Sequence, residues 1–271
     1  MIIVGKDALS LAAWHATCFN SCLNPLPFAP MFCAQQPVAV PDRPFFSSMS
    51  VSHWCVLPQV RFCELRFNSA HFSDDLFALS QLPAPSHLNR SVSKRRAHWL
   101  ASRYAVRHAM ATCGIDDVVL GNHADRSPRW PAGISASLSH TEGRALVVYS
   151  EEPRLLGIDV EQKMSLSTAE EVADTLVSAS ELSLLRYCRL DFASALTLTF
   201  SLKESLYKAV WPRCQQLMDF HQAEVIELDS RRGVARLRLC ESLTPFVGGR
   251  TFIAAFQIQE AEITTLVAAP V

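Results

Sequence analysis

The stretch Leu155-Leu156-Gly157-Ile158-Asp159-Val160-Glu161 reads as a short strand whose two-residue period sends Ile158 and Val160 to one face and both carboxylates to the other. Two acids held side by side raise each other's pKa. A hard divalent cation such as magnesium removes that repulsion and takes oxygen ligands. A half-exposed strand with acids on its wet face would alternate in the same way, so the motif gains weight only from its neighbours.

Working outward, residues 134–140 and 144–150 are two further strand-like runs, separated by Thr141-Glu142-Gly143. Upstream, Ala97, Leu100, Ala101, Tyr104, Ala105 and His108 recur at helical spacing, with serines before and Gly114 after, which predicts a helix over residues 93–113. Downstream, Thr168 and Glu171 have capping-box spacing and open a helix to about residue 179, and Asp191 begins a long helix that ends at Pro212. Strand runs at 224–229, 234–240 and 252–259 follow, the first two joined by a turn over residues 230–233. The order helix, strands, helix, strands predicts an α+β fold of two similar halves, 56–152 and 153–271, each a small, mostly antiparallel sheet packed on helices. Ahead of them, Pro25, Pro27, Pro30, Pro37, Pro41 and Pro44 interrupt any periodic element, so residues 1–55 read as a poorly ordered extension. Met49 precedes a run of more ordinary character, and translation from that methionine and a true adaptor segment are both open readings.

The 271 residues are 49% hydrophobic, enough for a substantial core, and 25 basic against 26 acidic side chains give a formal net charge of -1. No overall field draws such a chain to nucleic acid or to an anionic membrane, so an anion site must be local. Nine cysteines, at 18, 22, 33, 55, 63, 113, 188, 214 and 240, form no CxxC pair and suit a reducing, cytoplasmic setting better than a disulfide framework. His15, Cys18, Cys22 and Cys33 have zinc-ligand chemistry but match no standard knuckle spacing; buried thiols explain them equally. Lys6 and Asp7 interrupt the apolar N-terminus where a signal peptide would stay hydrophobic, and no stretch is long enough for a membrane span.

Three more clusters carry chemistry. In Phe200-Ser201-Leu202-Lys203-Glu204-Ser205-Leu206-Tyr207-Lys208, Glu204 and Lys208 are neighbours on the helix surface. An exposed ion pair would look the same and contribute only about 0.3–0.5 kcal/mol, yet charges bunched on an otherwise apolar helix suggest a cleft wall. Ser139-His140, at a strand end before a turn, could offer a hydroxyl, an imidazole and free backbone N–H groups to a phosphate. Lys94-Arg95-Arg96 opens a basic helix, and Arg96, Arg103 and Arg107 fall on one stripe that could embrace a dianion or simply face water.

Taken in order, KRRAHWLASRYAVRHAM, PRWPAGISASLSH, GIDVEQ and ALTLTFSLKESLYKAV resemble the surfactin-type 4'-phosphopantetheinyl transferases, and within them the enterobactin synthetase component D branch. The resemblance covers residues 90–212 well and the remainder loosely. It implies a fold of two halves related by a pseudo-two-fold axis, with coenzyme A in the cleft between them and magnesium held there by Asp159, Glu161 and Glu204. It further implies that Lys208 contacts the phosphates with Lys203 nearby. Ser139 and His140 would hold the 3'-phosphate and pyrophosphate region, and Lys94, Arg95 and Arg103 would stand near the nucleotide. Glu204 and Lys208 are then the catalytic candidates, Glu204 taking the proton of a serine on an apo acyl or peptidyl carrier protein of siderophore, polyketide or polyunsaturated fatty acid synthesis. Both halves can build the cleft within one chain, so a monomer is expected, with no nucleic acid among its partners. The sequence departs from the family pattern at Ser102, Ala136-Ser137-Leu138 and Leu202, none of which removes a ligand. Two other classes stay open: a metal-dependent phosphodiesterase using the same acids with water, and a non-catalytic scaffold that binds coenzyme A or a carrier.

Overall fold

A computed structural model describes residues 31–271. Two five-stranded antiparallel sheets lie at its centre. The first contains β1 (Phe32–Val38), β2 (Phe46–Trp54), β3 (Arg61–Phe67), β4 (Ser135–Thr141) and β5 (Arg144–Ser150), in the spatial order β1-β2-β3-β5-β4. The second contains β6 (Arg154–Gln162), β7 (Ala223–Asp229), β8 (Val234–Leu239), β9 (Thr251–Ile258) and β10 (Glu262–Pro270), in the order β6-β10-β9-β8-β7. Helices α1 (Asp75–Leu79) and α2 (Ser93–Ala111) belong to the first half; α3 (Leu166–Leu176), α4 (Ala179–Tyr187) and α5 (Phe192–Cys214) belong to the second.

Strand alternation sorts these elements into layers. Cys63, Leu65, Ala145, Val147 and Tyr149 face α2 and share a core with its Ala97, Leu100, Ala101 and Ala105. Their strand neighbours Phe62, Leu146 and Val148 turn the other way and meet Leu156, Ile158, Leu266 and Ala268 of the second sheet. The far face of that sheet, through Ile263, Val267, Leu237 and Phe252, is covered by Leu198, Leu202, Leu206 and Val210 of α5. The order is helix, sheet, sheet, helix, so both sheets are covered on both faces, and β5 throughout and β6 from Arg154 to Val160 are buried at every position.

Two polar junctions tie the halves together. Fully buried Arg144 donates to Glu64 (2.8 Å) in its own sheet and to Thr264 (2.8 Å) in the other, while Arg66 reaches Glu262 (3.3 Å). At the edge where β4 meets β6, the hydroxyls of Ser135, Ser137 and Ser139 accept hydrogen bonds from the N–H groups of Arg154 (3.0 Å), Ile158 (3.2 Å) and Val160 (3.3 Å). A serine at every second position of β4 thus satisfies the N–H groups that β6, an edge strand, would otherwise leave without a partner.

Gly157 fixes how closely α5 lies on β6. A β-carbon at this position would fall 1.8 Å from the Ser205 carbonyl oxygen and 2.6 Å from the Ala209 nitrogen, both backbone atoms that no rotamer change can move. A glycine inside a strand marks such a close approach. Gly157→Ala is expected to push α5 off the sheet and destabilise the protein by at least about 1–3 kcal/mol, the range for overpacked cores. Thermal denaturation followed by circular dichroism checks it, and an unchanged midpoint would contradict the close approach.

The structure corrects several expectations. Of residues 1–55, read as a poorly ordered extension, residues 1–30 lie outside the described residues, while β1 and β2 belong to the first sheet, β2 pairs with β3, and Phe45, Phe46 and Met49 are core residues. Met49 lies inside β2, so a chain beginning there would lack β1 and the aromatic pair. The prolines misled because Pro37 sits in edge strand β1, where a missing N–H costs no ladder bond. Cys33 and Cys55 are joined in a disulfide, which runs against the reading of the cysteines as better suited to a reducing setting than to a disulfide framework and which removes Cys33 from any zinc set; His15, Cys18 and Cys22 lie outside the described residues. The helix cap is Ser165 rather than Thr168, and the reciprocal capping box occurs at Ser178 and Glu181, opening the unanticipated α4. Pro212 is accommodated in the last turn of α5, which runs to Cys214. Among the described residues no helix is long and apolar enough to cross a membrane.

Candidate active site

The serine edge of β4, the acidic end of β6 and the middle of α5 meet at one place between the halves. Asp159 is buried at its centre, 2% exposed. Its Oδ1 accepts from the Lys208 ammonium (2.6 Å) and from the Ser139 hydroxyl (2.9 Å), and its Oδ2 accepts from the Ser201 hydroxyl (2.8 Å). Lys208 also donates to the Ile158 carbonyl (3.2 Å) and to Ser139 (3.3 Å). One residue from the first half, two from β6 and two from α5 therefore define a single polar knot at the junction of the halves.

Glu161 and Glu204 stand at the rim of this knot, both half-buried. Burial, then the charge of Asp159 and, more weakly, of Glu204, pushes the Glu161 carboxyl up to about 7, against the opposing pull of Lys208. Burial likewise raises Glu204; Lys208 opposes this and Asp159 adds to it. Three carboxylates served by one ammonium leave an excess of negative charge, the condition in which an added hard cation binds. Among the described residues, no three acidic, histidine or cysteine side chains are gathered as a closed metal cage. Asp159 is bonded to Lys208 instead. The donor set, oxygen ligands that repel one another, fits a divalent cation such as magnesium in chemistry and charge.

The predicted phosphate side is only partly assembled. His140 follows Ser139 on β4 and is exposed, its ring edge-on to His98 with centroids 5.2 Å apart. Crowding by protein on its other sides, followed by the charges of His98, Lys208 and Arg103, pushes its pKa down to about 4, so the imidazole is neutral near pH 7. Arg103 is buried rather than free. It donates to the Leu120 carbonyl (3.4 Å) and the Asn122 side chain (2.8 Å) and lies over the Trp99 ring, and desolvation lowers its pKa to about 10. Lys94 pairs with Glu142 (2.6 Å) at the surface, and Arg95 is exposed beside it.

Two expectations fail on geometry. Arg96, Arg103 and Arg107 do not converge on one anion: Arg96 pairs with Asp74 (2.7 Å), and Arg107 donates to the carbonyls of Ser80 and Gln81 (2.5 Å each). Lys203 does not stand with Lys208. On a helix, consecutive residues are rotated by about 100°, so Lys203 leaves Glu204 and Lys208 and enters the interior beside α4. There its ammonium donates to Glu181, the Leu176 carbonyl and the Phe220 carbonyl, each at 2.8 Å. The sequence reading also passed over Ser201, Ser205 and Thr265, which are wholly buried behind Asp159. The available signal was a pair of serines four apart on an apolar helix face, where alanine would be expected if packing alone decided.

Residues 84–150 match the model of the 4'-phosphopantetheinyl transferase N-terminal domain, and residues 155–258 match that of the 4'-phosphopantetheinyl transferase superfamily. The boundary between the two matches falls at the turn from β5 to β6, where the chain passes from one half to the other. The chain belongs to the 4'-phosphopantetheinyl transferase superfamily and is an enzyme of that class. It is 36% identical to enterobactin synthase component D of Salmonella typhimurium over 188 residues, which is 69% of this chain and 78% of that protein. Against enterobactin synthase component D of Escherichia coli it is 37% identical over 145 residues, 54% of this chain and 68% of the relative. The 4'-phosphopantetheinyl transferase Npt of Nocardia iowensis is 35% identical over 147 residues, 53% of this chain and 64% of that protein.

Proposed function

We propose that this enzyme moves the 4'-phosphopantetheine group of coenzyme A onto a serine hydroxyl of an apo acyl or peptidyl carrier protein and releases 3',5'-ADP, with magnesium held by Asp159, Glu161 and Glu204. The observation that carries this reading is the meeting of these acids with Lys208 and Ser139 at the junction of the halves. The enterobactin synthase relatives favour a carrier of siderophore type. In solution the chain acts as a monomer, because both walls of the cleft come from one polypeptide.

The reaction needs charge neutralised on a pyrophosphate and a proton removed from a hydroxyl. When bound, magnesium supplies the neutralising charge at the pyrophosphate oxygens. Lys208 adds a second cation there, its ammonium already held at the cleft by Asp159 and Ser139. His140, neutral and exposed, offers a hydrogen-bond donor beside it, and Lys94 and Arg95 give the outer end of the site its positive charge. Glu204 accepts the proton of the carrier serine as its oxygen attacks the β-phosphorus and the bond to the 3',5'-ADP oxygen breaks. A carboxylate whose pKa is raised by burial is the stronger base for that step.

Intact-mass spectrometry tests the reading directly. Apo carrier proteins incubated with the enzyme, coenzyme A and magnesium are expected to gain one phosphopantetheine, and EDTA is expected to abolish the gain. Coenzyme A cleaved without carrier modification would indicate a phosphodiesterase. Coenzyme A binding with neither outcome would indicate a scaffold.

A further inference from the structure

Behind Asp159 lies a file of buried hydroxyls that no catalytic step uses. Ser201 and Ser205 project from one face of α5 toward Thr265 of β10, which is paired with Asp159 across the sheet. All three side chains are fully buried. The Thr265 Oγ1 lies 2.9 Å from the Ser201 Oγ and 2.6 Å from the Ser205 Oγ, and the Ser201 Oγ donates to the Asp159 Oδ2 at 2.8 Å. The Thr265 hydroxyl also lies 2.8 Å from the Ser201 carbonyl, and the Ser205 hydroxyl lies 3.0 Å from the Thr265 carbonyl.

Each hydroxyl carries one hydrogen and can accept two bonds. A carboxylate only accepts, so the Ser201 hydrogen is committed to Asp159, and the single Thr265 hydrogen is shared between the Ser201 carbonyl at 2.8 Å and the Ser201 Oγ at 2.9 Å. The Thr265 oxygen in turn accepts from Ser205. The Ser205 hydrogen thus points to Thr265, the Thr265 hydrogen to Ser201 and the Ser201 hydrogen to Asp159, with the Thr265 and Ser201 carbonyls as second acceptors, and such a network polarises itself in a low-dielectric interior. The result is a donor of fixed direction at Oδ2, opposite the Oδ1 that faces Lys208 and the cleft. Buried hydroxyls cost stability unless bonded, and alanine would fill the same space on α5. Packing alone does not account for them.

We propose that Ser201, Thr265 and Ser205 are positioning residues that lock the Asp159 carboxylate so that Oδ1 is presented to a cation in the cleft. This rests on the proposed role of Asp159. Supporting groups of this kind alter metal affinity by about 10–100-fold when removed.

The test is a titration of the full chain, saturated with 3',5'-ADP, with Mn2+, the free ion being followed by electron paramagnetic resonance and the fold by circular dichroism. Ser201→Ala is expected to weaken Mn2+ binding by about tenfold or more with its helical signal intact. Thr265→Val, which keeps the shape and removes the hydroxyl, is expected to weaken it in the same direction, and Thr265→Ser is expected to recover most of that loss. Unchanged Mn2+ affinity in Ser201→Ala and Thr265→Val would overturn the proposal while leaving the role of Asp159 standing. Equal losses in Thr265→Val and Thr265→Ser would also overturn it, because a packing role would not distinguish the hydroxyl. Failure of the unmodified chain to bind Mn2+ would overturn both this inference and the site assignment. If Ser201→Ala does not fold, the two Thr265 variants decide the matter.

Discussion

Glu204→Gln is expected to lower the rate of carrier modification by about 100- to 10,000-fold, the span a positioned general base contributes, while the fold persists. The side chain is half-buried on α5, within the electrostatic reach of Asp159 and Lys208. Glutamine keeps its size and can still accept a hydrogen bond, but it cannot take a proton. A time course of carrier mass gain, with circular dichroism as the control for folding, reads the effect. A rate within a few-fold of the unmodified enzyme would remove Glu204 from the chemical step. Recovery of most of the rate at high magnesium would leave Glu204 with its metal-holding role alone.

Lys203→Ala is expected to unfold the second half at a markedly lower temperature. The ammonium and its partner Glu181 are both essentially inaccessible to water, and Glu181 also accepts from the N–H groups of Ser178 and Val225 at 2.9 Å each. Through Lys203 the end of α3, the start of α4, the turn at Phe220 and the start of β7 are all fastened to α5. Removing one partner of a buried pair leaves the other charge without compensation and costs about 3–5 kcal/mol. For a chain of this size that corresponds to a fall in midpoint on the order of 10 °C. Calorimetry measures it, and Lys203→Met with Glu181→Leu is expected to recover part of the loss, since an apolar replacement of both partners leaves no buried charge. An unchanged midpoint with weakened coenzyme A binding would restore Lys203 to the phosphate site that the family resemblance assigned to it.

Lys203 also shows where sequence reading stops. The motif around it marks the helix that meets Asp159, but a linear string does not say which side of a helix meets the cleft and which meets the interior. That is set by rotation about the helix axis and by what packs there. The same limit applies to the basic stripe on α2. Three arginines at helical spacing suggest a common target, and their long side chains instead reach Asp74, backbone carbonyls of the 80–81 turn and the loop at 120–122. Strands fared better where alternation was clean. β4, β5 and β6 were legible, whereas β10 was missed because its Thr264-Thr265 pair breaks the apolar run, β1 because an edge strand tolerates a proline that argues against a strand elsewhere, and β2 because its serines and the prolines ahead of it mask an interior strand.

By itself the sequence determined that this is an α+β protein of two halves, that Asp159 and Glu161 share a strand face, that Glu204 and Lys208 share a helix face, and that the whole resembles the phosphopantetheinyl transferases. These are consequences of short-range periods, two residues along a strand and 3.6 along a helix. Only the tertiary structure decided that β6 lies against α5 closely enough to exclude a β-carbon at position 157, and that Ser139 of one half bonds Asp159 of the other. It alone separated Lys203 from Lys208 and lined up Ser205, Thr265 and Ser201 behind the carboxylate. Those contacts join residues 20 to 64 positions apart. No local period encodes which of them meet, because that is fixed by how the sheets and helices bury their apolar faces together.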